Sequence, residues 1–183
     1  MKYSAVSPWQ ITASKDIYEN NWIRVREDQV INPSGNPGIY GTVHFKNKAI
    51  GIIPVDAEYN TYLVGQYRYP LGEYSWEIPM GGGPLGIDLL ESAKRELKEE
   101  TGITAERWTK IARIHTSNSV TDEEGFVFLA QELGYGDTDF EDTEQLAIRK
   151  LPLPEALEMV MRDEITDSIS VAGLLKVARF LKV

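Results

Sequence analysis

Two almost uninterrupted apolar stretches, AIGIIPV at residues 49–55 and TYLVGQY at residues 61–67, constrain the fold more than any other feature of the chain. A strand with one wet face alternates apolar and polar side chains, whereas one with almost no polar positions has to be covered on both faces. Both stretches are shorter than a typical helix, so each reads as a buried strand. The intervening DAEYN, residues 56–60, reads as a hairpin turn. Covering such strands on both sides calls for helices, and helical spacing is present. Leu90, Ala93 and Leu97 form one stripe within residues 88–101, with Gly102 placed as a C-cap. Residues 154–163 and 168–182 read as two closing helices.

Residues 9–31 alternate in the manner of strands, with Ile17, Tyr18, Trp22, Ile23, Val25 and Val30 as the apolar members. NPSGNPG at residues 32–38 is a turn by composition, and residues 40–45 read as the returning strand. Residues 81–86 read as a glycine-rich loop, residues 108–114 and 126–131 as further strands, and the acidic stretch 132–143 as a loop. Strands, a central helix, more strands and terminal helices imply an α+β fold: an α/β/α sandwich around a mixed sheet. The first 45 residues are expected to form an N-terminal antiparallel β lobe and residues 46–183 the main domain.

The 183 residues lack cysteine, which excludes a disulfide scaffold, thiolate catalysis and a cysteine-ligated zinc site. The formal net charge of −9 repels a long polyanion, so no nucleic acid partner is expected. An anionic small molecule can still bind where a metal or a few arginines reverse the local sign. No run approaches the length of a membrane span and the first 21 residues lack an apolar signal core, so no membrane partner and a cytoplasmic location are expected.

Residues 88–102 also carry the chemistry. Glu96 and Glu100, four apart, project from one helix face beside the apolar stripe, with Glu99 one position round. Like charges at that spacing repel. A divalent cation relieves the repulsion, and hard oxygen ligands suit magnesium. The glycines just upstream let backbone groups approach the same ion and a phosphate. A solvated Glu/Lys helix face is the plain alternative for a bare acidic pair. The longer string Arg-Glu-apolar-x-Glu-Glu-x-Gly, however, arises by chance in roughly one chain of this length in several thousand.

Residues 95–103 resemble the core of the Nudix box, Gly-x5-Glu-x7-Arg-Glu-U-x-Glu-Glu-x-Gly-U with U aliphatic, and Gly81 holds its first glycine in register. QYRYP at residues 66–70 and WEIPMG at residues 76–81 are similar to the "QYR…ELPAG" stretch of the ADP-ribose and nucleotide-sugar branch. The string from Asn21 to Gly35 resembles that branch's opening β lobe. The resemblance implies a Nudix-type fold and magnesium-dependent hydrolysis of a nucleoside diphosphate sugar, with manganese as second choice of metal. ADP-ribose, giving AMP and ribose 5-phosphate, is the leading substrate; another nucleotide sugar such as GDP-mannose is the alternative. By matching position it implies that Glu96, Glu100 and the Met80 carbonyl ligate metal and that Glu99 bridges. It implies that Arg95 orients the glutamates, Arg68 contacts the diphosphate, and Trp22 and Tyr40 stack on the base, often across a homodimer. Glu144, with Asp142 and Glu141 next, is the choice for the group that activates water.

Three features depart from the pattern. The box's first glutamate falls at position 87, where this chain has Ile87; Asp88 and Glu91 are the candidates to replace it. The loop at residues 117–123 lacks the proline usual in ADP-ribose enzymes. Residues 167–169 lack the lysine of the Asp-x-Lys string of nucleotide-sugar hydrolases. A Nudix-fold binding module with impaired catalysis is the alternative of a different class.

Overall fold

The computed structural model describes residues 6–138 and 146–183. Its elements are β1 (Gln10–Glu19), β2 (Ile23–Ile31), β3 (Pro37–Phe45), β4 (Asn47–Pro54), β5 (Asn60–Arg68), β6 (Glu73–Glu77), β7 (Met80–Pro84), α1 (Leu89–Thr101), β8 (Ile103–His115), β9 (Glu124–Tyr135), β10 (Ala147–Pro152), α2 (Leu153–Met161) and α3 (Ser168–Leu181). They fall into two compact units, Met1–Lys46 with Ser117–Glu123, and Asn47–Thr116 with Glu124–Val183.

The first unit is an antiparallel sheet in the order β1-β2-β3. Asn32 makes its second turn: the Asn32 Oδ1 accepts the backbone N–H groups of Ser34 and Asn36, each at 3.0 Å, and Gly35 takes the left-handed φ of 85°. Residues 117–123 pack in the same unit. Val43 N–H donates to the Val120 carbonyl at 2.8 Å and Asp122 N–H to that of Val43 at 3.2 Å.

The second unit has a four-stranded sheet ordered β7-β4-β9-β8 and a three-stranded one ordered β10-β5-β6. β4 and β9 run parallel while their outer neighbours are antiparallel, so the larger sheet is mixed. Helices cover both of its faces. Ile50, Ile52, Phe126 and Phe128 pack with Ala93 and Leu97 of α1. Ile53, Val127 and Leu129, of opposite parity, pack with Met159 of α2 and Leu174 and Val177 of α3. Residues 49–55 are apolar without interruption because alternate side chains enter two different cores.

The structure corrects several boundaries. Residues 80–84 form strand β7, not a loop: the glycines pair with β4, Gly81 opposite Ile50 and Gly83 opposite Lys48. β9 continues through Tyr135, into the stretch read as loop. Residues 56–60 close the expected tight turn, with Asp56 N–H donating to the Asn60 carbonyl at 3.0 Å and Val55 bridging Thr61 antiparallel, and beyond it β4 and β5 diverge into different sheets. β6 and β10 carry too many polar residues to register as strands by alternation alone.

Helix α1 positions the site. The Asp88 carboxylate accepts the N–H groups of Leu90 at 2.8 Å and Glu91 at 3.2 Å, the N-cap arrangement that fixes where the helix starts. Gly102 ends it at φ 69°, its N–H donating to the Lys98 carbonyl at 2.8 Å. Between these caps two seams are buried, Ala93 with Leu97 and Ser92 with Glu96 and Glu100. The acidic strip runs directly beside the hydrophobic one.

Candidate active site

Glu96 is 9% exposed and Glu100 2%. Burying a carboxylate is costly unless hydrogen bonds or opposite charge compensate it, so two such groups one turn apart need partners. β7 supplies some of them. Met80 N–H donates to Glu100 Oε2 at 2.9 Å. At Gly81 the strand backbone comes so close to the Glu96 carboxylate that any Cβ there would overlap it. Arg95 Nη2 donates to the Gly82 carbonyl at 3.0 Å and also to Glu96, and Nη1 donates to Glu99. One guanidinium thereby ties the strand to two acids of its own helix. Burial opposes the Arg95 charge, but Glu96 and Glu99 outweigh it and raise its pKa.

Arg68, at the end of β5, makes a two-point pair with Glu77 of β6: Nε to Oε1 at 2.9 Å, and Nη2 to Oε2. The Glu77 side chain is 5% exposed, so the pair is fixed from the carboxylate side. The hydrogen bond to Glu77 raises the Arg68 pKa above the ordinary guanidinium range; burial opposes this, and the fields of Glu77, Asp167 and Glu100 add to it. The influence of Glu100 links Arg68 to the acidic helix. Beside Arg68 lies a cleft of about 330 Å³ bordered by Leu71, Ser75, Glu77, Thr166 and Asp167.

Met80, Arg95, Glu96, Glu99 and Glu100 are therefore brought to one place, with Arg68 within electrostatic reach. Trp22 and Tyr40 lie in the first unit and do not meet each other there. Trp22 precedes Ile23, which pairs with Phe45, whereas Tyr40 pairs with Asp28. Five residue pairs further along, that is about 17 Å of strand. Trp22 is 65% exposed. Tyr40 is half-buried, its hydroxyl donating to the Ser119 carbonyl at 2.6 Å and its ring meeting Trp9 edge-on at 5.2 Å. Glu144, Asp142 and Glu141 lie outside the described residues.

The sequence reading assigned no role to Glu77 or Asp167. Glu77 stands inside the quoted WEIPMG string, and an acid nine residues after an arginine across a strand pair was the signal available. Neither substitute for the missing box glutamate reaches Arg95: Asp88 caps the helix, and Glu91 pairs with Lys94 at 2.8 Å.

A glycine strand followed by a capped helix that carries a buried acid pair against it is the geometry expected of the motif, and comparison with known proteins decides the matter. The NUDIX domain model matches residues 46–168. The chain belongs to the Nudix hydrolase family. A second model, the nucleoside diphosphate sugar hydrolase N-terminal domain, matches residues 9–43, which places this enzyme in the ADP-ribose and nucleotide-sugar diphosphatase group. The ADP-ribose pyrophosphatase of Mycobacterium tuberculosis (strain ATCC 25618 / H37Rv) is 32% identical over 178 residues, covering 92% of this chain and 83% of that protein. The ADP-ribose pyrophosphatase of Bacillus subtilis (strain 168) is 32% identical over 158 residues, covering 85% of each. A crystal structure described as an ADP compounds hydrolase superposes with a TM-score of 0.87 over 98% of this chain and 97% of that one. At 20% identity it shares the fold.

The family uses a divalent metal, and the donor set here suits a hard cation: buried carboxylates and backbone oxygens, with no sulfur. Among the described residues no three histidine or acidic side chains are grouped so as to hold an ion. Magnesium commonly uses one or two carboxylates and completes its shell with waters and substrate phosphate oxygens. Glu96 and Glu100 against the β7 backbone fit that mode.

Proposed function

We propose that this Nudix hydrolase cleaves the diphosphate of ADP-ribose to AMP and ribose 5-phosphate, with magnesium, or less effectively manganese, as its metal. The observation carrying the reading is the convergence of buried Glu96 and Glu100 with the residue 80–82 backbone, within the field of Arg68. The two relatives named ADP-ribose pyrophosphatase support the choice of sugar nucleotide. When bound, the metal neutralises the diphosphate and lowers the pKa of a water.

The protein's part is positioning. Glu96, Glu100 and the Met80 carbonyl would hold the metal, and Glu99, paired here with Arg95, would be a further ligand. Arg95 keeps Glu96 aimed at the β7 backbone. Arg68 uses two of its donors on Glu77 and offers the remainder to the diphosphate, already oriented. Glu144 is assigned to water activation on resemblance alone. Trp22 and Tyr40 are assigned to base recognition in a homodimer. The exposed Ile11, Ile17, Tyr18, Trp22 and Ile39 of the first unit support a second copy as its cover.

The test is a panel of ADP-ribose, GDP-mannose and other nucleotide sugars, each with magnesium and with manganese, products resolved by ion-pair chromatography. AMP released fastest from ADP-ribose upholds the assignment; faster turnover of another sugar nucleotide replaces it. A monomeric mass by light scattering removes the dimer. One observation favours a second reading, a nucleotide-binding module with impaired catalysis: position 87 carries an exposed isoleucine where the box has its glutamate. Nucleotide binding without turnover, with hydrolysis appearing in Ile87→Glu, would favour that reading.

A further inference from the structure

A second cleft, of about 330 Å³, opens between α1 and the edge strand β8. Its lining differs from that of the acidic site. Lys94, Arg95 and Lys98 stand against the one carboxylate of Glu91, with Ala105 and Trp108 as the apolar wall. Glu96 and Glu99 hold the Arg95 guanidinium, so the cations this rim turns to solvent are the ammonium groups of Lys94 and Lys98. Lys94 is partly neutralised by Glu91 at 2.8 Å. Lys98 is exposed and, among the described residues, forms no ion pair. The Trp108 indole is fixed from behind: its Nε1–H donates to the Ala105 carbonyl at 2.9 Å, and its ring meets Phe128 edge-on at 6.5 Å. The cleft thus joins a rigid, half-exposed aromatic wall to a cationic rim.

We infer that this cleft binds a nucleoside monophosphate, separately from the candidate active site. The exposed ammonium groups of Lys94 and Lys98, one turn apart on the helix, suit a phosphate monoester, which carries about −1.5 to −2 near neutral pH. A volume of about 330 Å³ lies in the small-molecule range of roughly 300–1,000 Å³. It is far more than inorganic phosphate fills, and an apolar wall offers that ion nothing. An aromatic base against Trp108, with the phosphate between Lys94 and Lys98, uses both halves of the lining. Arg95 connects the two sites. It borders this cleft while its guanidinium holds Glu96, Glu99 and the Gly82 carbonyl. A phosphate at the rim draws on the same guanidinium and loosens its hold on the glutamates. Resting on the proposed hydrolysis, this makes the nucleoside monophosphate a non-competitive inhibitor.

The experiment is calorimetric titration of AMP into the full chain in EDTA, which needs no turnover and so stands or falls apart from the hydrolase assignment. The expected result is AMP binding that survives Arg68→Ala and weakens about tenfold or more in the Lys94→Ala/Lys98→Ala double variant. Inorganic phosphate should bind at least about tenfold more weakly than AMP. Both lysines are exposed, so the double variant should melt with the wild type, and Trp108→Phe should lower AMP affinity without changing that for phosphate. No AMP binding, or binding abolished by Arg68→Ala and untouched by the lysine pair, overturns the site. Equal affinity for phosphate and AMP overturns the nucleotide.

Discussion

The two units bury themselves in opposite ways. In the second, the larger sheet feeds two cores, and Ile50, Ile52, Ile53, Leu97, Leu129 and Leu174 are wholly shielded from water. In the first, all ten residues of β1 are exposed, and Val30 is the one buried apolar side chain among its described residues. A three-stranded sheet stands alone when one face is apolar and covered. The sandwich meets that need from its own helices; the lobe must draw on something further. The acids that need precise placement are carried by the unit that is complete in itself, and the exposed aromatic residues by the one that is not.

Four measurements test this contrast. The largest effect should come from Glu100→Gln, which keeps the buried shape and removes the charge. ADP-ribose turnover should fall roughly a hundred- to a thousandfold, the scale of losing one electrostatic stabiliser of a transition state. The melting temperature should barely move, and turnover near wild type would detach the helix from catalysis. Next, Leu97→Ala should cost the second unit about 2–5 kcal/mol in denaturant unfolding, as large-to-small changes in a two-sided core do. Ile11→Ala on the open face of the first should cost under about 0.5 kcal/mol. Equal costs would erase the distinction.

Arg68→Ala should destabilise by about 1–3 kcal/mol because it strands the buried Glu77, the partial exposure of Arg68 keeping the loss moderate. Arg68→Ala/Glu77→Gln should recover part of that stability but not the substrate affinity. The smallest effect concerns pH. Burial raises the Asp122 pKa, but His44, at 2.8 Å, and the Phe45 N–H outweigh it and hold the carboxyl below its ordinary value. A lowered folded pKa adds stability above the unfolded value, about 3.9, and the contribution is lost as pH falls through the folded one. The protection factors of the Val43 and Phe45 amides, exchange corrected for its intrinsic pH dependence, should therefore fall in the first unit below about pH 4, and Asp122→Asn should flatten that dependence.

What the sequence disclosed follows the same division. The buried strands, the capped helix and the acidic strip were legible because each rests on spacing within a short window: Asp88 and Gly102 mark the helix ends, and Glu96 and Glu100 fall on one face. Residues 81–84 do not register as a strand in the sequence because glycine carries no side chain to alternate, although their pairing with β4 is regular. The pairing of Glu77 with Arg68 depends on β5 meeting β6, and the nearness of Asp167 to Arg68 on where the start of α3 packs, neither of which is written in local spacing. The separation of Trp22 from Tyr40 depends on a strand register that composition does not encode.

The contact at Gly81 restricts which sequences this frame can tolerate. A single methyl group there would have to share space with the Glu96 carboxylate, so even alanine should be rejected unless the glutamate is shortened or the helix shifts. Positions 81 and 96, in different elements and fifteen residues apart, can only change together, and a paired library at these two sites should return wild type or a concerted replacement.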